Sequence, residues 1–169
     1  MNPHHVLVAH GSRNGSTAEI AEWIGETLRA CGPAADVRPA AEVQDVEEYD
    51  VVVLGGALYA GRWHRDAARF ARRHHQALMS RAVWLFSSGP LDASAGERDI
   101  RPVPGVRRIA ARLDALGHVT FGGRLEEGAK GIIARQILKA GRGGDYRDPG
   151  RVRAWARSIA AELGAATVV

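Results

Sequence analysis

Apolar residues fall into short unbroken runs that alternate with longer stretches of helical period. Val6–Ala9 is a run of strand length, and Ala18–Ala30 follows with Ile20, Trp23, Ile24 and Leu28 on one helical face. Gly32-Pro33 ends that helix. Asp36-Val37-Arg38 predicts a short second strand near a sheet edge, and Asp50–Gly55 a central strand, since a β-branched run of this kind is buried on both faces. His64–Leu78 reads as a helix whose polar face carries Arg65, Arg69, Arg72 and Arg73. Ala82–Phe86 predicts a fourth strand, Pro104–Leu116 a helix and Val119–Phe121 a fifth strand. Two helical stretches close the pattern, Ala129–Ala140 and Arg151–Leu163, parted by Gly141-Arg142-Gly143-Gly144.

Five strands alternating with helices, joined by right-handed crossovers, predict an α/β fold: a doubly wound, five-stranded parallel sheet covered on both faces. The 169 residues suit a single domain spanning 1–169. Ligands of such sheets bind beyond the carboxyl ends of the strands, at the switch point. Three loops are expected there: residues 10–17, 55–63 and 87–101.

The first loop, His10-Gly11-Ser12-Arg13-Asn14-Gly15-Ser16-Thr17, stands between a strand and a helix. A helix start offers unpaired backbone N–H groups and the positive end of a dipole, which favours an anion. Ser12, Ser16 and Thr17 add hydroxyls, Asn14 an amide, and Gly15 allows close backbone approach. The loop lacks both the Gly-Lys-Ser/Thr ending of a P-loop and the G-x-G-x-x-G spacing of a dinucleotide turn. Hydroxyls without lysine suit a phosphate monoester held by hydrogen bonds. The alternative is an ordinary cap, in which Ser16 or Thr17 satisfies the first turn. In the second loop, Gly55–His64, small residues let backbone groups approach a flat ligand edge, and Tyr59 and Trp63 offer rings for stacking; Trp63 is equally suited to anchoring the next helix. The third loop, Ser87-Ser88-Gly89-Pro90-Leu91, supplies hydroxyls and another glycine.

Composition narrows the partners. Cys31 is the only cysteine, which excludes an internal disulfide; at the end of the first helix it reads as a small buried residue. No apolar run reaches transmembrane length and no leader pattern opens the chain, so a cytoplasmic location is expected. Charge is uneven: residues 1–50 carry a balance of −6 and residues 98–157 one of +8, with +4 over the whole chain. Such a basic segment suits a polar partner or an anionic surface. No nucleic-acid module is visible, and the aromatics are not interleaved with the arginines, so no nucleic-acid partner is expected. The pairs His4-His5 and His74-His75 lack metal-ligand spacing, and no metal is assigned.

The loop Ser12–Thr17 after an apolar strand resembles the FMN-phosphate loop of flavodoxins. The whole chain is similar to the flavodoxin-like layout, which implies strand order 2-1-3-4-5. Within that superfamily it most resembles the menaquinone-dependent protoporphyrinogen oxidase group and its flavodoxin-domain relatives. The resemblance is carried by Arg13-Asn14-Gly15-x-Thr17, Gly55…Gly61-Arg62-Trp63-His64, Gly123-Arg124-Leu125, and Gly143-Gly144-Asp145 before a helix containing Trp155-Ala156.

This resemblance implies FMN as cofactor. Ser12, Arg13, Asn14, Gly15, Ser16 and Thr17 would hold its phosphate, Ala57, Leu58, Tyr59, Ala60 and Gly61 would line the isoalloxazine, and Ser87, Ser88, Gly89, Pro90 and Leu91 would close its other side. It implies an FMN-dependent oxidoreductase acting on a small-molecule or quinone-linked substrate; the alternatives are a non-enzymatic electron carrier with a redox protein partner, and a domain that has lost its flavin. Classical flavodoxins are acidic, whereas this chain has a pI near 9.8, which counts against the carrier. The stretch Ala129–Arg142 sets Ile132, Ile133, Ile137 and Leu138 among Lys130, Arg135, Lys139 and Arg142. A basic amphipathic stretch of this kind either packs on the sheet or meets an anionic membrane peripherally, at its inner face.

Overall fold

The structure, a computed structural model, describes residues 4–12, 15–89, 101–122, 124–125, 144–145 and 147–167. Strand β1 (His5–Gly11) leads into helix α1 (Ser16–Cys31) and strand β2 (Ala34–Pro39). A 3-10 turn at Ala40–Glu42 precedes β3 (Val51–Tyr59), β4 (Arg62–Trp63), α2 (Arg65–Arg73) and α3 (His75–Leu78). Then come β5 (Ala82–Ser88), α4 (Pro104–Leu113) and β6 (Gly117–Phe121). The two-residue strands β7 (Arg124–Leu125) and β8 (Gly144–Asp145) pair antiparallel ahead of α5 (Pro149–Thr167).

The five long strands are parallel and ordered β2-β1-β3-β5-β6, which is 2-1-3-4-5 counted over those strands alone. Alternate residues feed two cores. Val6, Val8, Val51, Val53, Trp84 and Phe86 face the cluster closed by α1 and α5. Leu7, Ala9, Val52, Leu54, Val83 and Leu85 face the cluster under α2, α3 and α4. Because both strand faces are buried, the strands read as continuous apolar runs with no polar alternation. Each fully buried Leu, Ile or Val contributes about 1.5–3 kcal/mol relative to exposure. Phe86, Phe121 and Trp155 meet at tilted or edge-on angles with centroids 5.7–6.2 Å apart, docking α5 on the sheet.

Several expectations need correction. A sixth strand, β4, pairs antiparallel with the end of β3. The helix expected over His64–Leu78 breaks at His74, which leaves helical geometry (φ −103, ψ 16) as its buried ring packs against Phe70 at 4.6 Å. The helix from Pro104 stops at Leu113 because Asp114 adopts the left-handed conformation (φ 53) that closes a helix end. Cys31 is exposed, since the last turn of α1 runs past the core and Arg29, Ala30 and Gly32 are exposed with it. The stretch Ala129–Arg142 lies outside the described residues.

Candidate cofactor site

The carboxyl ends of β1, β3 and β5 lie side by side, with Gly11 opposite Gly56 and Ala57 opposite Ser88. From β1 the chain turns outward to β2, and from β3 it turns the other way to β5, so the switch point falls between β1 and β3.

Ser12 is half-exposed, and its Oγ accepts a hydrogen bond from the Gly15 N–H at 2.9 Å. Gly15 starts α1 in the left-handed conformation (φ 83), favourable for glycine alone, and the space where a Cβ would stand is open for 4 Å. No side chain among the described residues caps this helix end, which corrects the reading of Ser16 or Thr17 as an ordinary cap. The N–H groups of Ser16, Thr17 and Ala18 stand ahead of the first intrahelical bond, from Glu19 N–H to Gly15 O, where an α-helix leaves donors without intrahelical partners. A dipole end with open space in front of it suits an anion. Ser16 is half-exposed, whereas Thr17 is fully buried and its Oγ1 lies 2.6 Å from Ser88 Oγ. Arg13 and Asn14 lie outside the described residues.

The second segment is not the long loop expected. Strand β3 continues through Ala57, Leu58 and Tyr59 and turns back at once, pairing Leu58 with Trp63 and Tyr59 with Arg62. Ala60 (φ 52) and Gly61 (φ 73) form the two-residue turn, both exposed, with the positive φ values that match the strand twist of a tight hairpin. Trp63 is buried over Gly56, where an added Cβ would lie 2.5 Å from its Nε1. It is a core side chain and offers no stacking face, because Gly56 leaves room for the indole to fold inward. Tyr59 is half-buried, its ring edge-on to His64 with centroids 6.2 Å apart. His64 Nδ1 accepts from the Asp66 N–H at 3.2 Å and caps α2.

The third segment also begins inside a strand. Ser87 and Ser88 are the last residues of β5, both buried. Gly89 (φ 144) donates its N–H to Phe121 O at 2.8 Å, and a Cβ there would stand 3.2 Å from Leu58 Cβ. Leu58 and Gly89, chosen from separate loops, are therefore neighbours. Pro90 and Leu91 lie outside the described residues.

His118 on β6 was not expected in this neighbourhood. Its Nε2 is 2.9 Å from Ser87 Oγ, in a hydrogen bond, and its buried Nδ1 has no partner among the described residues. Burial pushes its imidazole from the ordinary 6.5 down to about 4. A histidine within a strand sequence carries no local signal of such a contact, since the register of β6 against β5 creates it. Burial likewise lowers the pKa of His10, with Glu42 opposing the shift. Among the described residues no group of His, Cys, Asp or Glu is arranged to hold a metal ion, and no helix is long and apolar enough to cross a membrane.

These features fit a flavin mononucleotide. Among the described residues no side chain caps the start of α1 and nothing stands within 4 Å of where a Gly15 Cβ would lie, which leaves room for a phosphate, and Leu58 and Gly89 are neighbours next to the half-buried Tyr59. The flavodoxin-domain profile matches residues 7–142. The chain belongs to the flavodoxin-domain family. Membership carries FMN as the cofactor and a redox role. Among curated proteins, this flavodoxin-domain chain is similar to protoporphyrinogen IX dehydrogenase [quinone] of Escherichia coli, at 32% identity over 83 residues. That match spans 48% of this chain and 46% of the relative, about half the relative's length. Among solved structures, rubredoxin oxygen:oxidoreductase of Desulfovibrio gigas superposes with TM-score 0.65 at 12% identity, covering 98% of this chain and 37% of that one. An archaeal flavodoxin superposes with TM-score 0.61 at 12% identity, covering 95% and 99% of the two chains.

Proposed function

We propose that this flavodoxin-domain protein is an FMN-dependent oxidoreductase that passes electrons from a reduced organic substrate to a quinone. In this reading Ser12, Arg13, Asn14, Gly15, Ser16 and Thr17 form the phosphate cradle. Ala57, Leu58, Tyr59, Ala60 and Gly61 line one side of the ring system, and Ser87, Ser88, Gly89, Pro90 and Leu91 the other. The observation that carries it is the start of α1, which no described side chain caps, with Gly15 in left-handed geometry and nothing within 4 Å of where its Cβ would stand. Bound FMN supplies the redox chemistry itself. The chain orients the phosphate through N–H and hydroxyl donors. Thr17 and Ser88 hold the first and third segments together, and Tyr59 shields one side of the ring.

The enzymatic part is supported by the likeness to the quinone-linked dehydrogenase and by the excess of arginine, which suits an anionic substrate more than the basic redox partners of an acidic carrier. The test is anaerobic turnover: FMN-loaded protein with protoporphyrinogen IX and a menaquinone analogue, read by porphyrin fluorescence. Quinone-dependent porphyrin formation above the uncatalysed rate is expected. A flavin that cycles with chemical reductants yet forms no porphyrin would favour an electron carrier.

A further inference from the structure

An ion pair joins the last part of the chain to the start of α1, outside the three segments of the cofactor site. Arg147 stands between β8 and α5, and its Nη1 donates to Glu19 Oε2 at 2.6 Å across 128 residues of sequence. The same guanidinium lies over the Trp23 ring, 5.1 Å from its centroid. Glu19 and Trp23 are one helical turn apart and share a face of α1, so the Arg147 side chain lies along that face. It is 5% exposed, against 54% for the Glu19 side chain. A guanidinium so far out of water needs a carboxylate or a ring face against it, and this one has both. Arg151, in the first turn of α5, donates from Nη1 to Thr120 O at 2.8 Å and lies over the Phe121 ring, which ties the start of α5 to the end of β6.

Glu19 is the acidic residue in the first turn of α1. With no anion in front of the helix, a carboxylate there is favourable, because it meets the positive end of the dipole. A phosphate monoester at the same pole reverses the sign. It carries about −1.5 to −2 charges at pH 7, and helical side chains lean back towards the N-terminus, so Glu19 sets a like charge within about one turn of the N–H groups the phosphate would use. We propose that Arg147 is a positioning residue of the cofactor site that acts through Glu19: by neutralising this carboxylate it lets the start of α1 accept the doubly charged phosphate of FMN. The proposal rests on the phosphate reading of α1 and extends the site to a residue far from loops 10–17, 55–63 and 87–101.

Titration of the flavin-free full chain with FMN and with riboflavin tests this in four proteins: the parent, Arg147→Gln, Glu19→Gln and the double variant, each checked for folding by circular dichroism. An ionic strength of about 0.01 M keeps the screening length near ~30 Å. Arg147→Gln leaves Glu19 uncompensated and should weaken FMN by about threefold or more. Glu19→Gln leaves Arg147 as a net cation and should tighten FMN by a similar factor. The double variant restores the parental charge and should return FMN affinity to the parental value. Riboflavin, which has no phosphate, should bind all four alike, and about 1 M salt should close the spread in FMN affinity. Glu19 is exposed, so Glu19→Gln decides the matter alone if Arg147→Gln does not fold. A parent that binds both flavins equally would overturn the phosphate reading and this proposal with it. A parent that prefers FMN, with unchanged FMN affinity in Glu19→Gln, overturns the proposal alone. So does an Arg147→Gln protein that loses both flavins equally and is not rescued by Glu19→Gln, which would make Arg147 a purely structural tie.

Discussion

Thr17 and Ser88 meet at 2.6 Å through their hydroxyl oxygens, both residues buried, one in the first turn of α1 and the other at the last position of β5. The contact spans 71 residues of sequence and fixes the start of α1, proposed to hold the phosphate, relative to the end of β5. Thr17→Val keeps the shape and leaves the Ser88 hydroxyl buried without this partner. A loss of about 1–3 kcal/mol in urea unfolding is expected, with weaker FMN binding. Thr17→Ser should retain most of both. Unchanged stability and affinity in Thr17→Val would mean that the bridge contributes nothing.

Gly55 and Gly56 are side by side on β3, and each makes room for one ring. A Cβ on Gly55 would collide with the Phe86 ring, and one on Gly56 with the Trp63 indole. Gly55→Ala and Gly56→Ala should each destabilise the fold by about 1–3 kcal/mol, the usual cost of overpacking, in chemical denaturation. Gly61→Ala has open space and should be strained only by its φ of 73.

His118 gives a pH dependence of definite sign. Its folded-state pKa is lowered to about 4 by burial, against 6.5 in the unfolded chain. Above pH 6.5 both states are neutral at this residue and it has no effect. As pH falls from 6.5 towards 4, the unfolded chain binds a proton that the folded chain does not, and stability declines. Below about pH 4 both states are protonated and the loss levels off. The full difference is about 3 kcal/mol. His118→Gln should unfold less steeply between pH 6.5 and 4 than the parent chain. Parallel profiles would contradict the burial account.

The sequence pattern made the parallel sheet legible because its strands are buried on both faces: Val51-Val52-Val53-Leu54 has no polar position to blur it. The strand–loop–helix order around Gly15 was also legible, although α1 begins at Ser16, two residues ahead of the expected Ala18. Less of the site's interior could be read. Ala60 in left-handed geometry closes the β3–β4 hairpin, and alanine carries no turn signal of its own. Trp63 pairs with Leu58 and folds its indole over Gly56, two residues back on β3, a relation set by register. The bond from His118 to Ser87 and the contact of Leu58 with Gly89 are likewise products of strand pairing. Cys31 shows the opposite limit: a residue type that is usually buried is exposed because the helix outruns its core.

Tyr59 and Trp84 should separate cofactor binding from folding. Tyr59 is half-buried at the mouth, whereas Trp84 is buried in the core at 4% exposure. Tyr59→Ala should weaken FMN modestly, in line with ~0.5–1.5 kcal/mol for ring pairing, and shift the flavin's reduction potential. Trp84→Ala should cost about 3–5 kcal/mol of stability. Potentiometry together with thermal unfolding distinguishes them. A Tyr59→Ala protein with unchanged potential and affinity would show that its ring faces elsewhere.

The basic stretch Ala129–Arg142 is expected to give weak, salt-sensitive binding to anionic vesicles, each cation near the surface contributing ~1 kcal/mol. Cosedimentation with anionic and with neutral vesicles at low salt checks this. Equal recovery on both would remove the membrane from the account.

Titration with FMN and with riboflavin tests the phosphate cradle most directly, because the two flavins differ only in the group that the start of α1 is proposed to hold. Losing several charge-assisted hydrogen bonds of ~1.5–3 kcal/mol each should weaken riboflavin by at least about a hundredfold in Kd. Tight FMN binding with riboflavin weaker by that margin is the result expected. Equal affinity for the two would contradict the assignment of residues 12–17 as the phosphate site.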